Sequence, residues 1–324
     1  MFTRWCHTQG IHPHKASSPE LAEFFLWLYH HKGLKPITIK GYRAMLSDTY
    51  KHIGRGDLGS DRDISDLLSN LTLSRPASRT LFPGWNLPWV LTYLNSEKFE
   101  PLGLAPMREL TLKTCFLLAL ATASRVSELH ALSASADYLQ FRSDGSVTLI
   151  TRPGFVAKNR LPSVPPSPMV VQRLPAQNAQ EHLQDPVRAL KKYIRRTKQK
   201  RTPDSRLFLP LVDNKPDISA QTISSWIKAV IREAYAELVP ASRSLLRIRA
   251  HEVRAISTSL AFERSVSAAD IMSAVGWRSP STFAKFYLRE MRPAREALEL
   301  VGQIAVPSSG AGRIARESGG QSIA

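Results

Sequence analysis

Residues 138–160 interrupt the helical patterning of the chain, and that interruption decides its fold class. YLQFR and VTLIT flank Asp144-Gly145, a dipeptide that favours tight hairpins because it tolerates positive φ at both central positions. Arg152-Pro153-Gly154 makes a second turn, and FVAKNRL (155–161) reads as a third strand with Lys158 at the far edge. Pro162, Pro165, Pro166 and Pro168 then mark an extended loop. A sheet this short, with helix-period sequence on both sides of it, defines a mainly α protein carrying one small antiparallel β-sheet.

Before the interruption, Ser17-Ser18-Pro19-Glu20 is a helix start, with hydroxyl caps, Pro and an acid in the first turn. LAEFFLWLYHHKG continues that helix to Gly33. Pro36 opens a second helix with Ile39, Tyr42, Leu46 and Tyr50 at helical spacing. Asp61 to Leu71 gives a third and Trp85 to Leu94 a fourth. Residues 17–97 are therefore expected to form one helical unit, and residues 1–16 a flexible leader. Cys6, His7, His12 and His14 in that leader match no usual zinc spacing. Two Pro and one Gly in EKFEPLGLAPM put a linker at 98–107.

The second unit, 108–304, opens on the apolar helix RELTLKTCFLLALAT, and Arg125 and Glu128 follow three apart. Asp185-Pro186 starts a helix whose later part is dense in Lys191, Lys192, Arg195, Arg196, Lys198, Lys200 and Arg201. SAQTISSWIKAVIREAYAEL is amphipathic. AHEVRAISTSLAFERSVSAADIMSAVGWRSPSTFAKFYLRE (250–290) reads as three helices: Val253, Ile256 and Leu260 line the first, leaving His251 and Arg254 on its other faces. Ser267 caps the second with Asp270 three residues on, and Gly276 stops it. Ser279-Pro280 starts the third, which carries Phe283 and Tyr287. A last amphipathic helix follows at 292–304, and the Ser- and Gly-rich 305–324 reads as a disordered tail.

The formal net charge of +17 points to a polyanionic partner. Two cysteines imply no disulfide framework and fit a reducing compartment. The longest apolar run is too short to span a bilayer. An intracellular protein is expected, without a membrane partner.

One chemistry fits a polyanion and the residues at hand. Cutting a DNA strand without a metal requires a nucleophile for phosphorus, cations for the non-bridging oxygens and a donor for the leaving 5′-oxygen. A phenolate is also a good leaving group, so a phosphotyrosine link can be reversed by a DNA hydroxyl. A free phenol titrates near pH ~10, so cations must help it ionise. Guanidiniums are planar, permanently charged and bidentate toward phosphate. Lys can act as general acid, and His or an indole N–H as donor. The chain supplies Arg125, Lys158, His251, Arg254, Trp277 and Tyr287 in that order. Singly, each has an ordinary explanation: a helix-surface ion pair for Arg125 and Glu128, a capping or core His251, a packing Trp277, a core Tyr287 beside Phe283.

ATASRVSEL, a hairpin Lys, HEVR, GW and Tyr together resemble the tyrosine recombinase, or phage-integrase-like, family, over about residues 17–300. WRSPSTFAKFYLRE is most similar to recombinases of DIRS-type retrotransposons and related eukaryotic mobile elements. The resemblance implies a helical core-binding domain followed by a catalytic domain, acting on double-stranded DNA as a tetramer on two sites and existing as a monomer or weak oligomer when free. It implies no cofactor, no metal and no nucleotide, and a nuclear location in a eukaryote. Arg125 and Arg254 would hold the scissile phosphate, His251 and Trp277 donate to it, Lys158 protonate the leaving oxygen and Tyr287 attack, with Glu128 orienting its neighbours. Lys40, Arg43, Lys191, Lys192, Arg195, Arg196 and Lys198 would contact the DNA backbone. The Trp277–Tyr287 spacing is one residue longer than is common in the family. A type IB topoisomerase shares the same chemistry, and a domesticated, inactive DNA-binding protein would share the fold.

Overall fold

The computed structural model describes residues 1–55, 57–76, 83–157, 168–174, 179–212, 217–238, 248–277, 280 and 283–289. The chain divides into two compact units, Met1–Arg79 and Thr80–Ala324.

The first unit holds four helices: α1 (Phe2–Thr8), α2 (Ser18–His30), α3 (Pro36–His52) and α4 (Arg62–Ser74). Glu20 accepts from both the backbone N–H and the hydroxyl of Ser17, closing the start of α2 as the sequence predicts. Asp61 caps α4 by accepting from the Ile64 N–H. Phe24, Phe25, Leu28, Ile39, Leu46, Ile64 and Leu68 meet in the core. The expected flexible leader is instead part of that core. Phe2, Trp5 and Cys6 lie on one side of α1 and are buried, and Phe24 packs edge-on to Phe2. The Tyr50 hydroxyl donates to Pro13 O, and Arg55 donates to His14 O, so residues 9–16 are tied down as well.

The second unit is built around α6 (Met107–Thr122), buried along nearly its whole length. α9 (Pro186–Thr197), α10 (Ala220–Leu238) and α11 (Glu252–Glu263) pack against α6. α5 (Leu87–Leu94) packs against α10, and its Leu87, Val90, Leu91 and Leu94 join this larger core. The helix that sequence reading gives to the first unit thus belongs to the second, and the division falls at 79/80 rather than within 98–107. The physical reason is that 98–107 is a folded turn: Phe99, Leu102 and Ala105 are buried. Glu100 within it takes two hydrogen bonds from Arg188 and one from the fully buried Lys113. Pro and Gly there shape a turn instead of loosening a linker.

α7 (Val126–His130) leads into the sheet, β1 (Leu139–Phe141), β2 (Val147–Leu149) and β3 (Met169–Val171), antiparallel in that order. The predicted hairpin forms, with Gly145 at φ 86°. The third strand is not 155–161. Residues 152–157 form a turn and irregular chain, and MVV after the proline run pairs with β2 instead, where its β-branched residues suit the buried strand. Lys158 lies outside the described residues. A short helix, α8 (Ala179–Gln184), precedes α9 in a stretch to which the sequence reading assigned no element. α12 (Ala268–Val275) is capped by Ser267 as expected. Residues 292–304 and 305–324, with the helix and tail expected there, lie outside the described residues, as do Arg243 and Arg247. Among the described residues no helix is long and apolar enough to cross a membrane.

Candidate active site

α6 ends at Ala123, a non-glycine residue at φ 48° that is fully buried. The left-handed conformation of an L-residue costs about 1–2 kcal/mol. Here it coincides with a useful contact, because Arg254 Nη1 donates to the Ala123 carbonyl at 2.7 Å. Two residues on, Arg125 is the N-cap of α7. Glu128 accepts from the Arg125 backbone N–H at 2.7 Å and from its guanidinium at 2.9 Å. The other Arg254 Nη1 hydrogen reaches Glu128 at 3.3 Å. One carboxylate therefore holds two guanidiniums, one of them from a residue 126 positions away.

Arg254 differs from its sequence reading. α11 is buried on almost every face, and Arg254 is only 2% exposed. Its Nη2 donates to Val275 O at 2.7 Å, which fixes the end of α12. Gly276 then takes φ 68°, as a helix stop of this kind requires, and the Trp277 N–H returns to Met272 O. That turn lays the Trp277 ring 5.0 Å from the Arg254 guanidinium. Tyr287, at the end of a π-helical turn (Phe283–Tyr287), places its ring centroid 4.4 Å from Trp277 and 5.8 Å from the Arg254 guanidinium. Ser259 on α11 donates to Tyr287 O and accepts from the Arg289 N–H, holding the nucleophile candidate's backbone.

Burial pushes the Arg254 pKa down to about 10, while the Glu128 carboxylate acts in the other direction. The group stays charged at pH 7. An arginine has five N–H donors. Three are used on Ala123, Glu128 and Val275, leaving Nε–H, which has no partner among the described residues, and one Nη2–H. The Trp277 indole N–H is likewise buried and unpartnered there. Unpaired buried donors of this kind are costly, and these two belong to side chains that both lie against the Tyr287 ring.

His251 is the N-cap residue of α11, three positions before Arg254. Protein packed around its ring, then the positive charges of Arg249 and Arg289, hold its pKa below the ordinary value, so it is neutral at pH 7 and offers a single N–H. The unfolded chain binds this proton more readily, so His251 withdraws stability as pH falls below ~6.5. Replacing Arg249 by Gln is expected to raise the His251 pKa, as read by NMR titration of its ring protons. An unchanged or lower value would contradict the assigned cause.

The structure thus gathers Arg125, Glu128, Arg254, Trp277 and Tyr287, while His251 stands at the start of α11 with no hydrogen bond to them among the described residues. Sequence reading missed Ala123 O, Val275 O, Ser259 and Arg249. The first two act through backbone carbonyls, which leave no side-chain signal. Of the expected backbone-contacting cations, Lys40, Lys191, Arg195 and Lys198 are exposed. Arg43 is engaged internally with Leu58 O, Gly59 O and Ser65 Oγ, and Arg196 with Leu102 O.

No family model matches the chain, and no curated protein matches it. Solved structures do. The integrase of the Tn1549 transposon in complex with transposon right-end DNA is 14% identical, covers 86% of this chain and 82% of its own, and superposes with a TM-score of 0.56. The XerH site-specific recombinase bound to a palindromic difH substrate is 15% identical, covers 86% and 68%, and gives 0.55. The fold is mainly helical with a small three-stranded antiparallel sheet, like these recombinase and integrase structures.

Proposed function

We propose that the chain is a site-specific DNA recombinase or integrase of mobile-element type, which breaks and rejoins duplex DNA through a 3′-phosphotyrosine. The observation that carries this reading is the convergence of Arg125 and Arg254 on Glu128 with the Tyr287 ring 5.8 Å from the Arg254 guanidinium. The likeness of the fold to a transposon integrase and a site-specific recombinase supports it.

In this reading Arg125 and the remaining edge of Arg254 hold the non-bridging oxygens of the scissile phosphate. The indole N–H of Trp277 and the neutral ring of His251 donate to the same oxygens. Tyr287 Oη gives up its proton to solvent and attacks phosphorus. The P–O5′ bond breaks as the P–Oη bond forms, and the departing 5′-oxygen takes a proton from Lys158. Attack of a 5′-hydroxyl on the phosphotyrosine reverses the bond changes and rejoins the strand. Two duplex sites and four protomers would exchange strands, with Lys40 and the cations of α9 on the backbone.

The test is to incubate the protein with a nicked duplex carrying candidate sites, whose cleaved fragment diffuses away and traps the intermediate, and then to digest the complex for mass spectrometry. The expected product is the peptide bearing Tyr287 joined to a 3′-phosphonucleotide. DNA that binds without any adduct, or an adduct on another residue, would overturn the proposal.

A further inference from the structure

Away from this site, the second unit carries a concave cavity of about 320 Å³ between α8, α9 and the chain following β3. Arg173, Asp185, Arg188, Lys191, Lys192 and Arg195 line it. Five cations face one acid. Among the described residues the only further acid bound to any of them is Glu100, which holds Arg188 through two 2.8 Å hydrogen bonds. Asp185 is buried, caps α9 by accepting from the Val187 N–H, and lies 3.7 Å from Arg173.

Lys191, Lys192 and Arg195 have no acidic partner among the described residues. Lys191 and Arg195 are one helical turn apart, and Lys192 and Arg195 three residues apart, so like charges share one face at a cost to the helix. Lys191 Nζ instead sits 5.2 Å over the Phe141 ring. The walls beneath are fixed by Glu100 and Asp185. A rigid concavity with an excess of positive charge, mixing guanidiniums with ammoniums, suits an anion that brings several phosphate oxygens. Its volume is at the small end of ligand pockets.

It is not the scissile-phosphate region. Arg188 bonds Glu100, which bonds Lys113, and ten residues of α6 separate Lys113 from Ala123, about 15 Å along the helix axis.

We propose that this cavity is a second anion site, which binds two or more phosphates held close together, from a free polyphosphate or from a nucleic-acid backbone outside the cleavage point. The nucleic-acid source extends the placing of the α9 cations on DNA proposed above, but neither source depends on strand cleavage at Tyr287. The test is calorimetric titration of the full chain with inorganic tripolyphosphate at low salt. Saturable binding of one equivalent is expected, weakened at least tenfold by Lys191→Gln/Lys192→Gln/Arg195→Gln together and retained by Lys191→Arg/Lys192→Arg, with thermal melting confirming that both variants fold. Absence of saturable binding, or binding unchanged in the triple Gln variant, would overturn it. A parallel arm titrates duplex lacking a cleavage site. If the triple Gln variant also binds duplex more weakly and tripolyphosphate competes with duplex in the wild type, backbone phosphates are the source. If duplex affinity is unchanged, the ligand is a free polyphosphate. Covalent trapping at Tyr287 can succeed or fail independently of each result.

Discussion

Tyr287→Phe protein is expected to bind duplex DNA with near wild-type affinity and to form no covalent complex with it. On the proposed mechanism the substitution removes the attacking oxygen and keeps the ring. That ring packs 4.4 Å from Trp277 and partly buries itself against α11. The Tyr287 hydroxyl takes part in none of the hydrogen bonds among the described residues, so its loss should leave stability within ~0.5 kcal/mol. Strand cleavage, by contrast, should fall below detection, because phenylalanine has no oxygen to attack with. Gel assays of protein–DNA adducts on a nicked duplex, beside urea unfolding of the same variant, measure both halves. If Tyr287 were only a core aromatic, the phenylalanine variant would cleave as well as the parent. Adduct formation at the wild-type rate would therefore remove Tyr287 from the chemistry.

The second large effect lies in the architecture. Glu100→Gln is expected to destabilise the second unit by about 3 kcal/mol, the lower end of the cost of orphaning a buried charge. Lys113 is fully buried and has two partners, Leu94 O and the Glu100 carboxylate. Burial pushes its pKa down to about 8, with Glu100 opposing the fall. For Glu100 itself, burial acts upward, but Arg188 and Lys113 outweigh it and hold its pKa low. At pH 7 all three are charged. A neutral amide leaves the Lys113 ammonium without its counter-charge and frees Arg188. A lysine whose folded pKa is depressed gives full stability above its unfolded pKa of ~10.4 and loses it as pH falls through the folded value. In the variant that folded value drops further, so stability should rise with pH through the neutral range more steeply than in the parent. Equilibrium unfolding in urea at pH 7 and pH 9 tests both statements. An unchanged midpoint at pH 7 would mean that the network contributes nothing.

That same network explains why the domain boundary was hard to read. EKFEPLGLAPM has the composition of a linker, and only the fold reveals that Glu100 joins Lys113 on α6 to Arg188 on α9. Local signals fared better: the Asp144-Gly145 hairpin, the Ser17 and Ser267 caps and the Gly276 stop all rest on interactions within a few residues. α1 was missed because seven residues with Phe2, Trp5 and Cys6 give too short a period to separate from loop. β3 was misplaced because either side of a proline run can supply a third strand, and pairing with β2 decides between them. In the candidate site, the Arg125–Glu128 pair was legible from its i, i+3 spacing. The reach of Arg254 to the same carboxylate was not, since no periodicity relates residues 126 positions apart.

Arg254 fastens Ala123, Glu128 and Val275 to one another from the middle of α11. It follows that natural drift should treat positions 254 and 287 differently. A descendant copy released from selection for cleavage, yet still needed as a folded protein, could lose the phenol at 287 with little penalty. It could not lose the guanidinium at 254 without dismantling the seat of three segments. An intact Arg254 in a related sequence would therefore testify to a preserved fold, and, on the proposed mechanism, Tyr287 is the position whose loss would leave that fold without its nucleophile.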